Sequence, residues 1–388
     1  MNQKIIILKT NLPIDAKAIN QDIILAKANE LTYINHGNEL VATLFADAEK
    51  ACYMEDIAAI EWSKATKDRH KVVFLFTGQG SQYINMGLDL YQNNKIFKSF
   101  FDQAITEINK HLEINLLDII FPKSECNLIN QTNFTQPALF ALEYALAKTW
   151  MEYGIQPNIV MGHSVGEFAA ATIAGSLSLS TGAALISNRA KLMQQLPTGG
   201  SMAALMADID TTKKLISSLK NKFKHIGIAA INAPKQTVIS GEIRAVRECI
   251  ELAKKEKIKS RELVVSHAFH STLMQPMLDE FTSTIKTFSA AAPTIPLISN
   301  LTGDFLTTAP NAKYWCEHIL NPVNFLSSID KCNFANTTFI EIGPSPILVS
   351  MAKKCISKEN ILWLESINNS TDDSLSLLSN IAQAKLQC

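Results

Sequence analysis

The chain has 388 residues, 47% hydrophobic and 19% charged, a composition typical of a globular protein of about two or three domains. Its 36 basic residues balance 36 acidic ones, so no overall charge would attract nucleic acid or an anionic membrane. No run approaches the ~20 apolar residues that span a bilayer, and none of the seven cysteines forms a Cys-x-x-Cys pair. We therefore expect a cytoplasmic protein without a metal site, a nucleic-acid partner or a membrane partner.

The first 70 residues predict a small α+β unit. Strands are expected at 4–8 and 39–45, and helices at 19–31 and 47–62. The first apolar run lacks a small-residue cleavage site, so it is typical of a strand and not of a signal peptide. The charged stretch 64–70 separates this unit from a strongly apolar run, and we place a domain boundary there.

From Val72 onward, short apolar runs alternate with helical patterns, which indicates an α/β layer with a parallel sheet. Its strands are expected at 72–76, 158–162, 295–299 and 337–342, with a helical tail after the last. Between 200 and 266 the order becomes β-α-β-β-α-β, that of a ferredoxin-like unit. The predicted domains are the unit at 1–70, a core formed by 71–199 and 267–388, and an inserted subdomain at 200–266.

The sequence Gly162-His-Ser-Val-Gly166 follows an apolar run and precedes a good helix former. This is the strand–turn–helix setting in which G-x-S-x-G forms a nucleophile elbow. The pattern alone is common in ordinary turns, but its flanking elements favour the catalytic interpretation. Ser164 is therefore the candidate nucleophile, at a helix start whose free N–H groups favour a developing oxyanion.

A serine nucleophile needs a base, which is usually a histidine. Two of the eight histidines, His267 and His270, directly follow the last strand of the predicted insertion, where a subdomain could hold a base over the elbow. Their spacing does not decide between them. No acid stands in the order that α/β-hydrolases use, which argues against an ordinary hydrolase of that class.

Six sequence features, including the elbow and the two histidines, occur in one order and resemble the acyltransferase domains of modular polyketide synthases and fatty acid synthases, and more distantly bacterial malonyl-CoA:acyl carrier protein transacylase. They are Phe76-Thr-Gly-Gln-Gly-Ser-Gln82, Thr135-Gln-Pro-Ala-Leu-Phe140, Gly162-His-Ser-Val-Gly-Glu167, Asn188-Arg-Ala-Lys-Leu-Met-Gln194, His267-Ala-Phe-His270 and Glu341-Ile-Gly-Pro344. The resemblance runs from about Val72 to the end of the chain. It implies an α/β-hydrolase-like large subdomain with an inserted ferredoxin-like small subdomain. Residues 1–70 resemble, without a motif, the linker between ketosynthase and acyltransferase.

The resemblance also implies catalytic roles. Ser164 would be acylated and His270 would be the general base, oriented by a backbone carbonyl in place of an aspartate. We expect Asn300 to supply that carbonyl. The main-chain N–H groups of Gln79 and Val165 would form the oxyanion hole.

Substrate-binding residues follow from the same resemblance. Arg189 would pair with the free carboxylate of a malonyl-type substrate, for which a charged bidentate fork is well suited. The His-Ala-Phe-His form of the selectivity box implies malonyl, because the ring of Phe269 would crowd an α-methyl group, although packing discriminates one methyl by only about 1–3 kcal/mol. His267 would belong to this box, and His318 is expected to be structural. The other candidates for the substrate-binding site are Gln136, Asn232 and Met193.

These features predict an enzyme that loads a malonyl unit from coenzyme A onto the phosphopantetheine thiol of an acyl carrier protein, in polyketide or fatty acid biosynthesis. Malonyl-CoA is then a substrate, no metal or redox cofactor is implied, and a polyketide synthase is a candidate partner. An editing thioesterase of the same fold is the alternative, against which Arg189 argues because such hydrolases need no carboxylate clamp. A non-catalytic docking domain is disfavoured by the intact Ser164, His270 and Arg189. The sequence leaves open whether the enzyme is freestanding or part of a synthase.

Overall fold

The computed structural model describes residues 3–10, 30–36, 39–47, 70–124, 127–369 and 372–387. The chain divides into two compact units, one formed by Met1–His70 with Ser374–Cys388 and the other by Lys71–Asp373. The predicted core ran to residue 388, whereas the larger unit ends at Asp373. The last helix of the chain contains no motif, so its sequence does not indicate to which unit it belongs.

The smaller unit contains a three-stranded antiparallel sheet in the order β1-β3-β2. Its strands are β1 (Gln3–Thr10), β2 (Glu30–His36) and β3 (Glu39–Asp47). Strands β1 and β3 contain the two predicted strands, but β2 was not predicted and begins where a helix was expected to end. The rest of that helix, and all but the first residue of the helix expected at 47–62, lie outside the described residues.

A five-stranded parallel sheet forms the centre of the larger unit, in the order β10-β5-β4-β11-β12. Its strands are β4 (Lys71–Phe76), β5 (Ile159–Gly162), β10 (Leu297–Ile298), β11 (Thr337–Ile342) and β12 (Ile361–Glu365). Strand β5 is buried at every position, as expected of a parallel strand covered on both faces. The helical tail expected after β11 is interrupted, because helices at Ile347–Ala352 and Asp373–Gln387 lie on either side of β12, a strand that was not predicted. A short, mostly apolar run such as β12 cannot be distinguished from a helix segment by its periodicity.

Thirteen α-helices occur in the described part of the chain, and none of them is long and apolar enough to cross a membrane. They are α1 (Leu88–Asn93), α2 (Lys95–Asn109), α3 (Leu116–Ile120), α4 (Thr132–Glu152), α5 (Gly166–Ile173), α6 (Leu179–Gln195), α7 (Ile209–Leu219), α8 (Ile243–Lys255), α9 (Leu278–Ile285), α10 (Ala312–Leu320), α11 (Phe325–Asp330), α12 (Ile347–Ala352) and α13 (Asp373–Gln387). Helix α5 packs on β4 and β5, and all of its residues are buried. This burial fixes the start of α5 against the carboxyl ends of the parallel strands.

A second, antiparallel sheet has the order β7-β8-β6-β9 and lies between α6 and the histidine box in sequence. Its strands are β6 (Gly200–Leu205), β7 (Ile226–Ala233), β8 (Gln236–Glu242) and β9 (Ser260–Glu262). Helices α7 and α8 complete a βαββαβ unit, whose core includes Leu205, Ile239 and Val246. The predicted fold class, an α/β layer with a ferredoxin-like insertion, is confirmed. The insertion connects α6, which carries Arg189, with the segment that carries His270.

Candidate active site

Ser164 lies in a tight turn between β5 and α5, with a left-handed backbone at φ 53°. A Cβ atom on Gly162 would lie 2.2 Å from the main-chain nitrogen of Glu167, and one on Gly166 would lie 2.4 Å from the carbonyl oxygen of Phe76. Both approaches are far shorter than a van der Waals contact, so only glycine fits at these two positions. The glycines of the G-x-S-x-G sequence therefore permit the elbow that presents Ser164.

His270 is the histidine that contacts the serine, with 2.6 Å between its Nε2 atom and Ser164 Oγ. Its Nδ1 atom lies 2.9 Å from the carbonyl oxygen of Asn321, and since a carbonyl only accepts, Nδ1 carries the proton. Nε2 is thus free to accept the Ser164 proton. Burial lowers the pKa of His270 well below its usual value, and the electrostatic influence of His318 and Arg189 lowers it further. The imidazole is neutral at pH 7, the form that a general base requires.

The expectation that Asn300 supplies the orienting carbonyl is wrong, because Asn321, directly after α10, supplies it. Asn300 contacts the elbow instead. Its Oδ1 atom accepts a hydrogen bond from the Ser164 N–H at 2.6 Å, and its Nδ2 atom donates to the Gly162 carbonyl. Every residue has a carbonyl, so the sequence holds no signal for which one lies beside the base.

Gln79 and Val165, the two predicted oxyanion-hole residues, both lie beside the elbow. Val165 directly precedes α5, and Gln79 follows Gly78, where a Cβ atom would lie 3.0 Å from the carbonyl oxygen of His163. Within the described residues, neither main-chain N–H has a hydrogen-bond acceptor. Free donors beside the elbow, one of them at a helix start, are suited to a developing oxyanion, and the role of these two groups stays a prediction.

Arg189, on α6, is a buried cation next to the nucleophile. It is 1% exposed, its Nη2 atom lies 3.4 Å from Ser164 Oγ, and its Nη1 atom donates to Gln136 Oε1 at 2.6 Å. Burial lowers its pKa to about 9, so the guanidinium stays charged at pH 7. No carboxylate of the described residues forms an ion pair with it, and its buried Nε–H has no partner among them. The site thus holds a positive charge that lacks a counter-ion in the described part of the chain.

Gln136 contacts this guanidinium, Met193 and Gln79. The Nε2 atom of buried Gln136 lies 3.3 Å from Gln79 Oε1 and 3.4 Å from Met193 Sδ, while its Oε1 atom holds Arg189. Gln136 therefore connects the guanidinium to the turn that carries Gln79. These four residues form one set of contacts that reaches Ser164 through Arg189.

His267 is held away from the role of base. Its buried ring uses both nitrogen atoms, with Nε2 2.9 Å from the Leu196 carbonyl oxygen and Nδ1 2.9 Å from Ser266 Oγ. Phe269 is 8% exposed, and its ring centre lies 6.2 Å from that of His267. The geometry thus resolves the ambiguity between the two histidines in favour of His270, because only that ring reaches Ser164.

Asn232, at the end of β7, contacts the elbow through a different residue. Its Oδ1 atom lies 2.9 Å from Nε2 of His163, the residue before the nucleophile. Its place in the acyl pocket stays a prediction. Sequence reasoning did not single out Glu167, whose carboxylate lies buried behind the elbow.

The acyl transferase domain family matches residues 73–385 of this chain. The chain is 37% identical to the mycoketide-CoA synthase of Mycobacterium tuberculosis, over 81% of this chain and 7% of that protein. It is 38% identical to a phenolphthiocerol synthesis polyketide synthase of Mycobacterium marinum, over 81% of this chain and 15% of that protein. The chain thus spans only a small part of the length of these relatives.

Solved structures of the same kind are similar over most of the chain. The acyltransferase domain from the second module of the salinomycin polyketide synthase has a TM-score of 0.76 and 36% identity, covering 82% of this chain and 74% of that one. The malonyl CoA-acyl carrier protein transacylase of Clostridium perfringens has a TM-score of 0.73 and 27% identity, covering 81% and 98%. The site is suited to acyl transfer, because it combines a serine elbow, a histidine oriented by a carbonyl and a buried cation. The chain therefore belongs to the acyl transferase domain family and is an acyltransferase.

Proposed function

We propose that this acyltransferase moves a malonyl group from coenzyme A to the phosphopantetheine thiol of an acyl carrier protein. The observation that carries the proposal is the buried guanidinium of Arg189, 3.4 Å from Ser164 Oγ and without a carboxylate partner among the described residues. A buried charge without a counter-ion is costly. The free carboxylate of a malonyl group would supply that counter-ion through two parallel hydrogen bonds.

In the first half-reaction, His270 Nε2 takes the Ser164 proton while Oγ attacks the thioester carbonyl carbon. The N–H groups of Gln79 and Val165 would stabilise the oxyanion of the tetrahedral intermediate. When that intermediate collapses, the carbon–sulfur bond breaks, and the proton on His270 passes to the departing coenzyme A thiolate. Ser164 is left carrying the acyl group as an ester.

In the second half-reaction, the phosphopantetheine thiol gives its proton to His270 and attacks the Ser164 ester. The new thioester forms as the carbon–oxygen bond to Oγ breaks, and His270 returns the proton to Ser164. The similarity to polyketide synthases and to a transacylase named for malonyl-CoA supports this carrier and a synthase as partner. The phenylalanine in the His-Ala-Phe-His box supports malonyl over methylmalonyl.

The test is intact-protein mass spectrometry after brief incubation with malonyl-CoA, methylmalonyl-CoA or acetyl-CoA, without a carrier. We expect a malonyl adduct that is absent from Ser164→Ala and present in Ser240→Ala, a control at a buried serine of β8. Addition of a phosphopantetheinylated carrier protein should then remove the adduct from the enzyme and place it on the carrier.

Three other outcomes would contradict the proposal. Equal malonyl and acetyl adducts would argue against a carboxylate clamp. Rapid release of free coenzyme A without a lasting adduct would favour the thioesterase alternative. Neither adduct nor release with any of the three substrates would favour a non-catalytic docking domain.

A further inference from the structure

Glu167 is a buried acidic residue that the proposed cycle does not use. It is the second residue of α5, three positions after Ser164, and its side chain has no solvent exposure. Its Oε2 atom accepts a hydrogen bond from the Asn300 N–H at 2.6 Å, and its Oε1 atom accepts one from the Tyr314 hydroxyl. His318 Nε2 lies 3.5 Å from Oε2. A carboxylate is seldom fully buried, and here it contacts two different segments of the site.

One of these segments holds the nucleophile. The side chain of Asn300 accepts from the Ser164 N–H and donates to the Gly162 carbonyl, so it spans the elbow at the residue whose backbone is left-handed. The main-chain N–H of the same asparagine is bonded to Glu167. The position of the Ser164 backbone therefore depends on Asn300, and that of Asn300 depends on the Glu167 carboxylate.

The other segment holds the base. Tyr314 and His318 both lie on α10, which ends at Leu320. The carbonyl of the next residue, Asn321, lies 2.9 Å from His270 Nδ1 and sets the orientation of the imidazole. The helix that contacts Glu167 thus ends on the group that orients the base. The Tyr314 hydroxyl oxygen also lies 2.7 Å from Ser299 Oγ, beside Asn300, which joins the two segments again.

We propose that Glu167 is a positioning residue that holds Ser164 and His270 at their reactive separation. It acts on the serine through Asn300 and on the histidine through α10 and the Asn321 carbonyl. A displacement of about 1 Å at reacting groups can lower a rate about 100-fold, so a support shared by both groups has a large effect without touching the substrate. The inference rests on the catalytic roles proposed above for Ser164 and His270.

The test is Glu167→Gln, which keeps the shape of the side chain but removes its charge and one acceptor. We expect the rate constant of acyl-enzyme formation at saturating acyl-CoA to fall about 10-fold to 100-fold. The acyl-CoA concentration at half saturation should stay within about twofold, because Glu167 is not expected to contact substrate. A merely structural defect would instead lower the folded fraction, which thermal unfolding measures separately.

Glu143→Gln is the matched control. Glu143 is equally buried, on α4, and accepts a hydrogen bond from Thr77 Oγ1 at 2.6 Å. Burial raises the pKa of Glu143 well above its usual range, which favours the neutral carboxyl form, and an uncharged amide of the same shape is a close replacement for that form. This variant should acylate at the rate of the wild type.

Tyr314→Phe keeps the inference testable if Glu167→Gln does not fold. It removes one donor to the carboxylate and keeps the ring, and we expect a fall in the acylation rate constant of about threefold to tenfold. An unchanged rate constant of acyl-enzyme formation in whichever of these two variants folds would overturn the inference. So would a change in only the acyl-CoA concentration at half saturation. A wild-type enzyme that forms no acyl-enzyme would instead overturn the proposed function, so the two failures are distinguishable.

Discussion

Ser164 and His270, whose side chains meet at 2.6 Å, both have a left-handed backbone, with φ angles of 53° and 54°. This conformation costs a residue other than glycine about 1–2 kcal/mol, because its Cβ atom crowds the following carbonyl oxygen. Such strain persists where surrounding contacts over-determine it, and it is concentrated at functional sites. Here the contacts come from Asn300 at the serine and from Asn321 at the histidine.

The free energy of unfolding of Ser164→Gly should therefore exceed that of Ser164→Ala by about 1 kcal/mol, although both variants lack the nucleophile. Glycine adopts the left-handed conformation without the Cβ penalty, whereas alanine keeps it. Urea unfolding of the two variants measures the difference. In β8 the same pair of substitutions at Ser240, where φ is not positive, should reverse the order, because glycine weakens a strand by roughly 0.5–1 kcal/mol. A Ser164→Gly protein less stable than Ser164→Ala would show that the elbow is unstrained.

The pH dependence of acylation reports on His270. A base works in its neutral form, which is present above its pKa, and burial holds the pKa of His270 well below the usual value for histidine. The rate constant of acyl-enzyme formation should therefore stay near its plateau as the pH falls through about 6.5, where an ordinary histidine is half protonated. It should decline only in more acidic solution. Half-maximal activity at or above pH 6.5 would contradict the buried, neutral imidazole.

The nucleophile could be predicted from sequence because its signal is local. A strand, two glycines and a helix surround Ser164 within a few residues, and the steric limits at Gly162 and Gly166 explain why the pattern is informative. The choice between His267 and His270 could not be made from spacing, because it depends on which ring reaches the elbow in three dimensions. The Asn321 carbonyl has no side-chain signature at all, and Asn300 was assigned its role wrongly.

Glu167 had a signal that sequence reasoning did not use. It is the one charged residue in the otherwise apolar and small run of α5, which packs on the central sheet. An acid inside such a run must be buried with partners, which marks it for attention. The unpredicted strands β2 and β12 were missed for another reason: each is a short segment whose strand structure depends on pairing with a neighbouring strand, β3 for β2 and β11 for β12.

Arg189→Gln should reduce malonyl transfer far more than acetyl transfer. Charge-assisted hydrogen bonds contribute about 1.5–3 kcal/mol, which corresponds to about a 10-fold to 150-fold loss for malonyl. An acetyl group has no carboxylate for Arg189 to bind, so the rate of its transfer should change by less than about threefold. Steady-state rates with both coenzyme A esters measure this difference. Arg189→Lys is the control: it keeps the charge but loses the fork, and malonyl transfer should fall to an intermediate level. Equal losses for both substrates would place Arg189 outside the acyl site.

Phe269→Leu should relax the selection against methylmalonyl. The phenylalanine directly precedes the base His270 and is largely buried, so its ring is expected to restrict the space beside the α-carbon of the acyl group. We expect the ratio of methylmalonyl to malonyl kcat/KM to rise about threefold to tenfold, within the limit of about 1–3 kcal/mol that packing can give for one methyl. The matched control is Phe281→Leu, at a fully buried ring of α9, which should lower stability and leave the ratio unchanged. An unaltered ratio in Phe269→Leu would mean that another residue limits the substrate, and the malonyl preference would then rest on Arg189 alone.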